Sequence, residues 1–597
     1  MKPFVRNLLA VITGIAIMWI VGVIIIAGLV TSAVSSLNAK PKVASNSVLV
    51  LDLSTIHLAE QSSEIPAGAG AVLGGSMQPT VGLWDATDAI LNAAYDPAIR
   101  CLYVRPDGAD CGIAALEELR AALTLFRQSG KPVVVYLQNP SNGGIYLGTA
   151  ADKLIMTSDR GVTPSFVGVC GQMYFLKDLL DRLGVHVQLI RHGKYKSAGE
   201  MFVRNASSAE NREQNQEMVS SIWETLSAEI ALSRGMMPEH LDSLVNSLSL
   251  TLPEHFLANG LVDGLMDKHA MTDYLCQMTG ASGEANLRLV ALQDYILARA
   301  LSEGRKGWKM AVIFAEGEIV DAPVAGSISG DAWADMINAV RLDDSIKAVV
   351  LRVNSPGGSV LASSKIEDAL KLLCAAKPVV ASYGDYAASG GYWISCGCKD
   401  IYSNATTLTG SIGVFSMIPE FSETTREVLK VGVETVGSGP HSDMFSLMRP
   451  FNDRELEVMQ AQIEDIYVRF VDLVAQGRSM TPDDVDAIAQ GRVWTGAQAR
   501  EKGLVDQIGT LPDALCRAAE LSGGPLDYSA WQVVQYPPKA TLSDMIATML
   551  SEQPVQPTVR LLLEGTPFEG LSYAFDACSV RDPFKVYARM PYSYDIH

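Results

Sequence analysis

"IKAVVLRVNSPGGSVLASSKIEDAL", residues 346–370, decides how this chain folds, because its pattern occurs twice. "IRCLYVRPDGADCGIAALEELRAAL" begins at Ile99, an offset of 247 residues. Near that offset GKPVVVYL (130–137) meets AKPVVASY (376–383), and GGIYL (143–147) meets GGYWI (390–394). Farther on, ANGLVDGL (258–265) meets EKGLVDQI (501–508). The correspondence covers about 160 residues in each half, which marks a duplicated domain rather than a short-period solenoid. Each copy alternates patterns. KAVVLRV is a short β-branched run, read as a buried strand, and KPVVASY is another. SSKIEDALKLL has helical spacing, SGGYWISCG reads as a glycine turn opening a helix, and residues 454–477 read as a long amphipathic helix. Strands alternating with helices predict an α/β fold with a largely parallel sheet.

Working outward, the first copy is expected over residues 39–266 and the second over 309–525, joined by a helical bridge, 267–308. The tail, 526–597, is rich in proline and loop residues and has no evident counterpart in the first copy. Residues 1–38 differ from everything else. No charge lies between Arg6 and Lys40, and the apolar stretch from Leu8 to Val30 is long enough to span a bilayer. It exceeds a cleavable signal's apolar region, so an uncleaved anchor is expected. Lys2 and Arg6 precede it, which keeps the N-terminus cytoplasmic and sends the rest across.

Of the 597 residues 48% are apolar and 19% charged, the balance of a core-rich folded protein. A net charge of −19 argues against nucleic acid as the main partner. Nine cysteines in so long a chain do not form a disulfide scaffold, and Cys396-x-Cys398 has no second pair at zinc spacing. No metal or other cofactor is expected.

The chemistry is concentrated in the second copy. TLTGSIGVF (407–415) sets Ser411 between glycines, and a serine nucleophile needs a base. NSPGGS (354–359) follows a strand, and Gly357 and Gly358 leave backbone N–H groups free to hold an oxyanion, or else simply make a tight turn. The aligned residues of the first copy are Asp110 and Cys111, and a carboxylate there would repel an oxyanion. Ser165, in GVTPSFVGV, is the nearest match to Ser411 but lacks the flanking glycines. Two bases are open. His441 lies 30 residues after Ser411, with Asp443 as a conceivable orienter. Lys196, in RHGKYKSAGEMF, belongs to the first copy, whereas the second copy has no lysine or arginine between Lys430 and Arg449. Glu200 would oppose a neutral lysine if it lay close in space.

NSPGGS, YAASGGYWIS, TLTGSIGVF and GRVWTGAQAREKGLVDQIG, in this order, resemble the signal peptide peptidase A family, peptidase family S49, in its long, duplicated, membrane-anchored form. The resemblance implies tandem ClpP/crotonase-like domains of repeated β-β-α units. It implies a Ser/Lys dyad of Ser411 as nucleophile and Lys196 as general base, with Gly357 and Gly358 at the oxyanion; the N–H of Ser411 itself is expected to help hold it. It implies cleaved signal peptides and other extended apolar peptides as substrates, a homotetramer, and a single-pass protein of the bacterial inner membrane with its catalytic part outside the cytoplasm. Two rivals remain: a crotonase-type acyl-CoA enzyme, and a non-catalytic membrane scaffold that binds peptides.

Overall fold

The computed structural model describes residues 41–63, 78–299, 308–322, 324, 326–539 and 586–590. The expected anchor lies outside these residues, and among the described residues no helix is long and apolar enough to cross a membrane.

In chain order the first half supplies β1 (Ser47–Asp52), β2 (His57–Ala59), β3 (Thr80–Gly82), β4 (Ile99–Arg105), β5 (Val133–Leu137), β6 (Lys153–Thr157), β7 (His186–Arg191), β8 (Gly264–Met266) and β9 (Leu289–Ala291). The second half supplies β10 (Lys309–Glu316), β11 (Ile319–Val320), β12 (Ile328–Ser329), β13 (Ile346–Ser355), β14 (Gly357–Ser359), β15 (Val379–Ala388), β16 (Asp400–Ser403), β17 (Leu408–Gly410), β18 (Phe415–Glu420), β19 (Val493–Thr495), β20 (Gln507–Ile508), β21 (Gln532–Tyr536) and β22 (Tyr587–Arg589).

The duplication read in the sequence is a duplication of sheets. The first runs β8-β6-β5-β4-β1-β9, with every neighbouring pair parallel. The second runs β19-β17-β15-β13-β10-β21, with β16 and β20 branching from β15. Helices cover both faces of such sheets, so the strands carry continuous apolar runs: VVVYL of β5 is buried throughout. The helix Ile113–Arg127 turns Leu116, Leu119, Leu123 and Phe126 onto the first sheet at helical spacing. Each such side chain contributes roughly 1.5–3 kcal/mol by leaving water.

Two regions differ from expectation. The bridge, expected to be helical, also contains β9, which pairs with β1 at the edge of the first sheet. The tail contains β21, which takes the same place beside β10 in the second. Each therefore completes a copy, and β21 is the tail's counterpart to β9. Short strands at the end of a helical stretch carry too few residues to show a period of two.

The halves meet across buried charge. Arg352 of β13 holds Glu60 at 2.8 Å and Glu118 at 2.7 Å, all three side chains being almost completely buried. Its other partners are the Ser382 hydroxyl and the Tyr383 carbonyl. Asp385 of the second half sits at the N-terminus of the first half's Ile113–Arg127 helix and accepts from the Ala114 N–H at 3.0 Å. Burial pushes the Asp385 carboxyl up to about 6, and Glu117, which accepts from the Ala405 and Thr406 N–H groups, up to about 7.

A third sheet, β12-β11-β14-β22-β18-β7, mixes the halves. β7 belongs to the first copy and runs antiparallel to β18 of the second, from Arg191 opposite Phe415 to His186 opposite Glu420. In NSPGGS, Asn354 and Ser355 end β13, and Gly357–Ser359, expected as a turn with N–H groups in open space, form strand β14 between β11 and β22. Gly357 and Gly358 take φ values of +98° and +156°. A Cβ on Gly358 would fall 2.0 Å from the Ile319 carbonyl oxygen, so close backbone packing requires glycine there.

Candidate active site

Lys196 lies five residues beyond the end of β7, and Ser411 four residues before the start of β18. The β7–β18 pairing therefore carries a lysine of one copy to a serine of the other. The segment around Lys196 packs on the Gln490–Gly491 turn, where the Tyr195 N–H donates to the Gln490 carbonyl at 2.9 Å. Gly491 is needed for this approach: a Cβ there would lie 2.5 Å from that of Lys196.

The Lys196 Nζ stands 2.9 Å from Ser411 Oγ, 2.9 Å from Ser389 Oγ and 3.1 Å from the Ser411 carbonyl oxygen. All three side chains are fully buried. Burial holds the Lys196 amine well below the usual lysine range, and no charged neighbour contributes to the shift. The Phe415 ring, with its centroid 6.0 Å from Nζ, closes one side. Glu200, which could have opposed a neutral amine, is turned away: it pairs with Arg191 at 3.1 Å and accepts from Ser208 N–H and Asn211 Nδ2.

Ser411 and Ser389 both sit in the left-handed region, at φ +49° and +56°, which is uncommon for serine and typical of side chains that the surrounding structure holds in a fixed direction. The Ser389 N–H donates to the Gly410 carbonyl at 2.8 Å, tying the two serines together. Within YAASGGYWIS nothing in the sequence marks Ser389 for a role; only its spatial place next to Nζ reveals one.

The expectation that the Ser411 N–H serves the oxyanion is not met. That N–H donates to the Arg492 carbonyl at 2.7 Å. Gly357 and Gly358 do lie beside the site: a Cβ on Gly357 would meet Gly390 N at 2.6 Å and the Ala388 carbonyl oxygen at 3.0 Å, the two backbone groups flanking Ser389. His441 is elsewhere engaged, 2.8 Å from Glu455 in a cluster with Arg449 and Asp443, and is not among the groups around Ser411. Ser165 is exposed, with its hydroxyl toward the Pro140 carbonyl. Asp110 pairs with His57 at the surface. Among the described residues no cluster has the makings of a metal site, Cys396 and Cys398 included.

Comparison with known proteins identifies the family. The profile of peptidase family S49 matches residues 125–280 and 371–523, once in each half. The Clp protease profile matches residues 309–428, in keeping with a ClpP-like fold. The chain is 35% identical to Protease 4 of Salmonella typhi over 83% of its own length and 81% of that protein's. It is 33% identical to Protease 4 of Haemophilus influenzae (strain ATCC 51907 / DSM 11121 / KW20 / Rd), over 74% of this chain and 73% of that one. It is 29% identical to the chloroplastic serine protease SPPA of Arabidopsis thaliana, over 84% and 77%. Doubled S49 matches, similarity along most of the chain and the duplicated α/β halves agree: the chain belongs to peptidase family S49 and is a serine protease.

Proposed function

We propose that Ser411 and Lys196 are its nucleophile and general base, and that they hydrolyse extended, apolar peptides. The observation that carries this reading is the 2.9 Å approach of Nζ to Oγ in a fully buried setting where burial alone depresses the lysine. A neutral amine has two N–H groups and one lone pair. Nζ has three polar neighbours. Two N–H groups toward Ser389 Oγ and the Ser411 carbonyl leave the lone pair facing the Ser411 hydroxyl, which is the arrangement for removing its proton.

Ser411 Oγ then attacks the scissile carbonyl while its proton passes to Lys196. The carbonyl oxygen becomes an oxyanion, and the N–H of Gly358, beside the site with Gly357, is assigned as its donor. Collapse expels the peptide amine, which takes the proton from Lys196. Water, deprotonated by the same lysine, attacks the acyl-enzyme ester and releases the acid, restoring Ser411. This chemistry needs neither metal nor CoA, and it separates the reading from an acyl-CoA enzyme of related fold.

Substrates bind as a strand along β14, where main-chain hydrogen bonds accept any sequence and pockets select side chains. Cleaved signal peptides fit this description, and the apolar segment Leu8–Val30 would hold the site near the bilayer from which they are released. A single-pass protein of the bacterial inner membrane, catalytic outside the cytoplasm and assembled as a homotetramer, belongs to the same reading. Its test is cleavage of a fluorogenic apolar peptide by the full chain, with Ser411→Ala and Lys196→Ala beside it. Loss in both, with folding intact, supports the dyad; substantial activity in either rejects it.

A further inference from the structure

The strand that lies against the oxyanion glycines is not a substrate. It is the chain's own β22. From this we infer that residues 586–590 occupy the substrate position and act as an internal competitor for the active site. The inference rests on the assignment of Ser411 and β14 as the reaction centre.

The register supports it. β22 runs antiparallel to β14, with Arg589 opposite Gly357, Ala588 opposite Gly358 and Tyr587 opposite Ser359. The Met590 N–H donates to the Pro356 carbonyl at 2.7 Å, and the Val360 N–H to the Val586 carbonyl at 3.3 Å. Antiparallel pairs alternate between bonded and non-bonded, so Gly358 and Ala588, midway between those two, form a bonded pair. The Gly358 N–H is thus directed at the Ala588 carbonyl, the geometry a scissile carbonyl would take. A Cβ on Gly390, next to Ser389, would lie 3.0 Å from that same carbonyl oxygen. On its other edge β22 pairs with β18 at Phe415, the residue whose ring borders Lys196.

Side chains fix the register. Ala588 is fully buried with the second half's core, and Met590 packs among Ala388, Leu408 and Val493. Tyr587 stands over Phe415, with ring centroids 6.2 Å apart. Arg589 reaches Glu318 at 3.3 Å. A short strand held by backbone bonds on both edges, two buried side chains, an aromatic contact and an ion pair is a built-in ligand. An incoming peptide gains the same backbone bonds only by displacing it, so the tail raises the apparent KM by the reciprocal of the fraction of time it is released.

The test uses full-length chains and a short fluorogenic peptide. Ala588→Pro removes the N–H that β22 presents to Gly358 and should lower KM at least threefold with kcat unchanged. Arg589→Glu, which reverses the ion pair and leaves the strand's backbone intact, should lower KM in the same direction. A synthetic peptide of residues 584–592, FKVYARMPY, should inhibit Ala588→Pro competitively and more strongly than it inhibits the parent; a scrambled peptide should not. Unchanged KM in both variants, or no inhibition by the peptide, overturns the inference. Ser411→Ala run alongside separates the failures: if it stays active the reaction centre itself is misassigned, and if it is dead while KM is unmoved only the tail's role falls.

Discussion

Lys196 Nζ stands 2.9 Å from Ser411 Oγ although 215 residues separate them in the chain. Neither copy of the duplicated domain supplies both groups. The proposed reaction centre is therefore a property of the contact between the halves. Replacing either group should abolish peptide cleavage, with kcat falling at least about 10³-fold, since groups acting as a unit lose nearly everything when one is removed. Lys196→Met should keep the fold, because it replaces a buried amine by an apolar chain of similar length. Peptidase assays with thermal unfolding in parallel check both statements.

Acid should inactivate the enzyme through Lys196. Burial depresses this amine, and protonating it destroys the base. The rate constant kcat/KM should rise with pH as the proton leaves and level off well before the pH at which a free lysine titrates, about 10.4. In the unfolded chain the same lysine holds its proton to that higher pH, so between the two values the unfolded state binds more protons and stability rises with pH. Lys196→Met should remove that portion of the slope. A pH–rate profile and unfolding midpoints measured across the same range test both.

Ser389 positions the amine. Ser389→Ala removes one of the three groups around Nζ and leaves an N–H without an acceptor. The expected result is a 10- to 100-fold fall in kcat, corresponding to about 1–3 kcal/mol for an unsatisfied buried donor, with little change in KM. Ser389→Thr, which keeps the hydroxyl, should recover part of the rate. A fall confined to KM would argue for a role in substrate binding instead.

Gly358→Ala should cost both rate and stability. The new Cβ would collide with the Ile319 carbonyl oxygen at 2.0 Å and force β11 and β14 apart. Alanine keeps the N–H but moves it with the displaced strand, so kcat should fall toward the limit of about 10²–10³-fold set by losing one oxyanion donor outright. Unaltered kinetics would show that this N–H does not face the reacting carbonyl.

Arg352→Met should destabilise the whole molecule. It leaves Glu60 and Glu118 buried without their cation, a change that costs about 3–5 kcal/mol when one partner of a buried pair is removed. The deficit should shrink as pH falls and Glu118, whose carboxyl burial already pushes up, takes a proton, and Glu60→Gln with Glu118→Gln in the same background should recover much of it. Urea unfolding at two pH values measures this.

Much of this was legible in the sequence. The repeated anchors mark the strands β4, β5, β13 and β15, because parallel strands buried on both faces leave unbroken β-branched runs. Ser411 stands out by its flanking glycines, whereas Lys196 stands beside His441 as one of two bases and is preferred on the family resemblance. What was not legible is what depends on pairing between distant segments. Nothing in residues 53–63 announces that Glu60 meets Arg352. Ser389 looks like one more small residue of a glycine turn until its left-handed backbone aims it at Nζ. β22 is three residues long, too short for any periodicity. The N–H of Ser411 reads as free until the Arg492 carbonyl takes it.

The antiparallel contact of β7 with β18 also sets a timetable. A ribosome delivers the lysine long before the serine, and no part of the chain made by then can cut anything. With the proposed dyad, hydrolytic power arises only once residues through Glu420 have emerged and docked on the earlier half. A product that stops short of Ser411 is then harmless by construction, and a misfolded one, in which the halves have not met, is equally so.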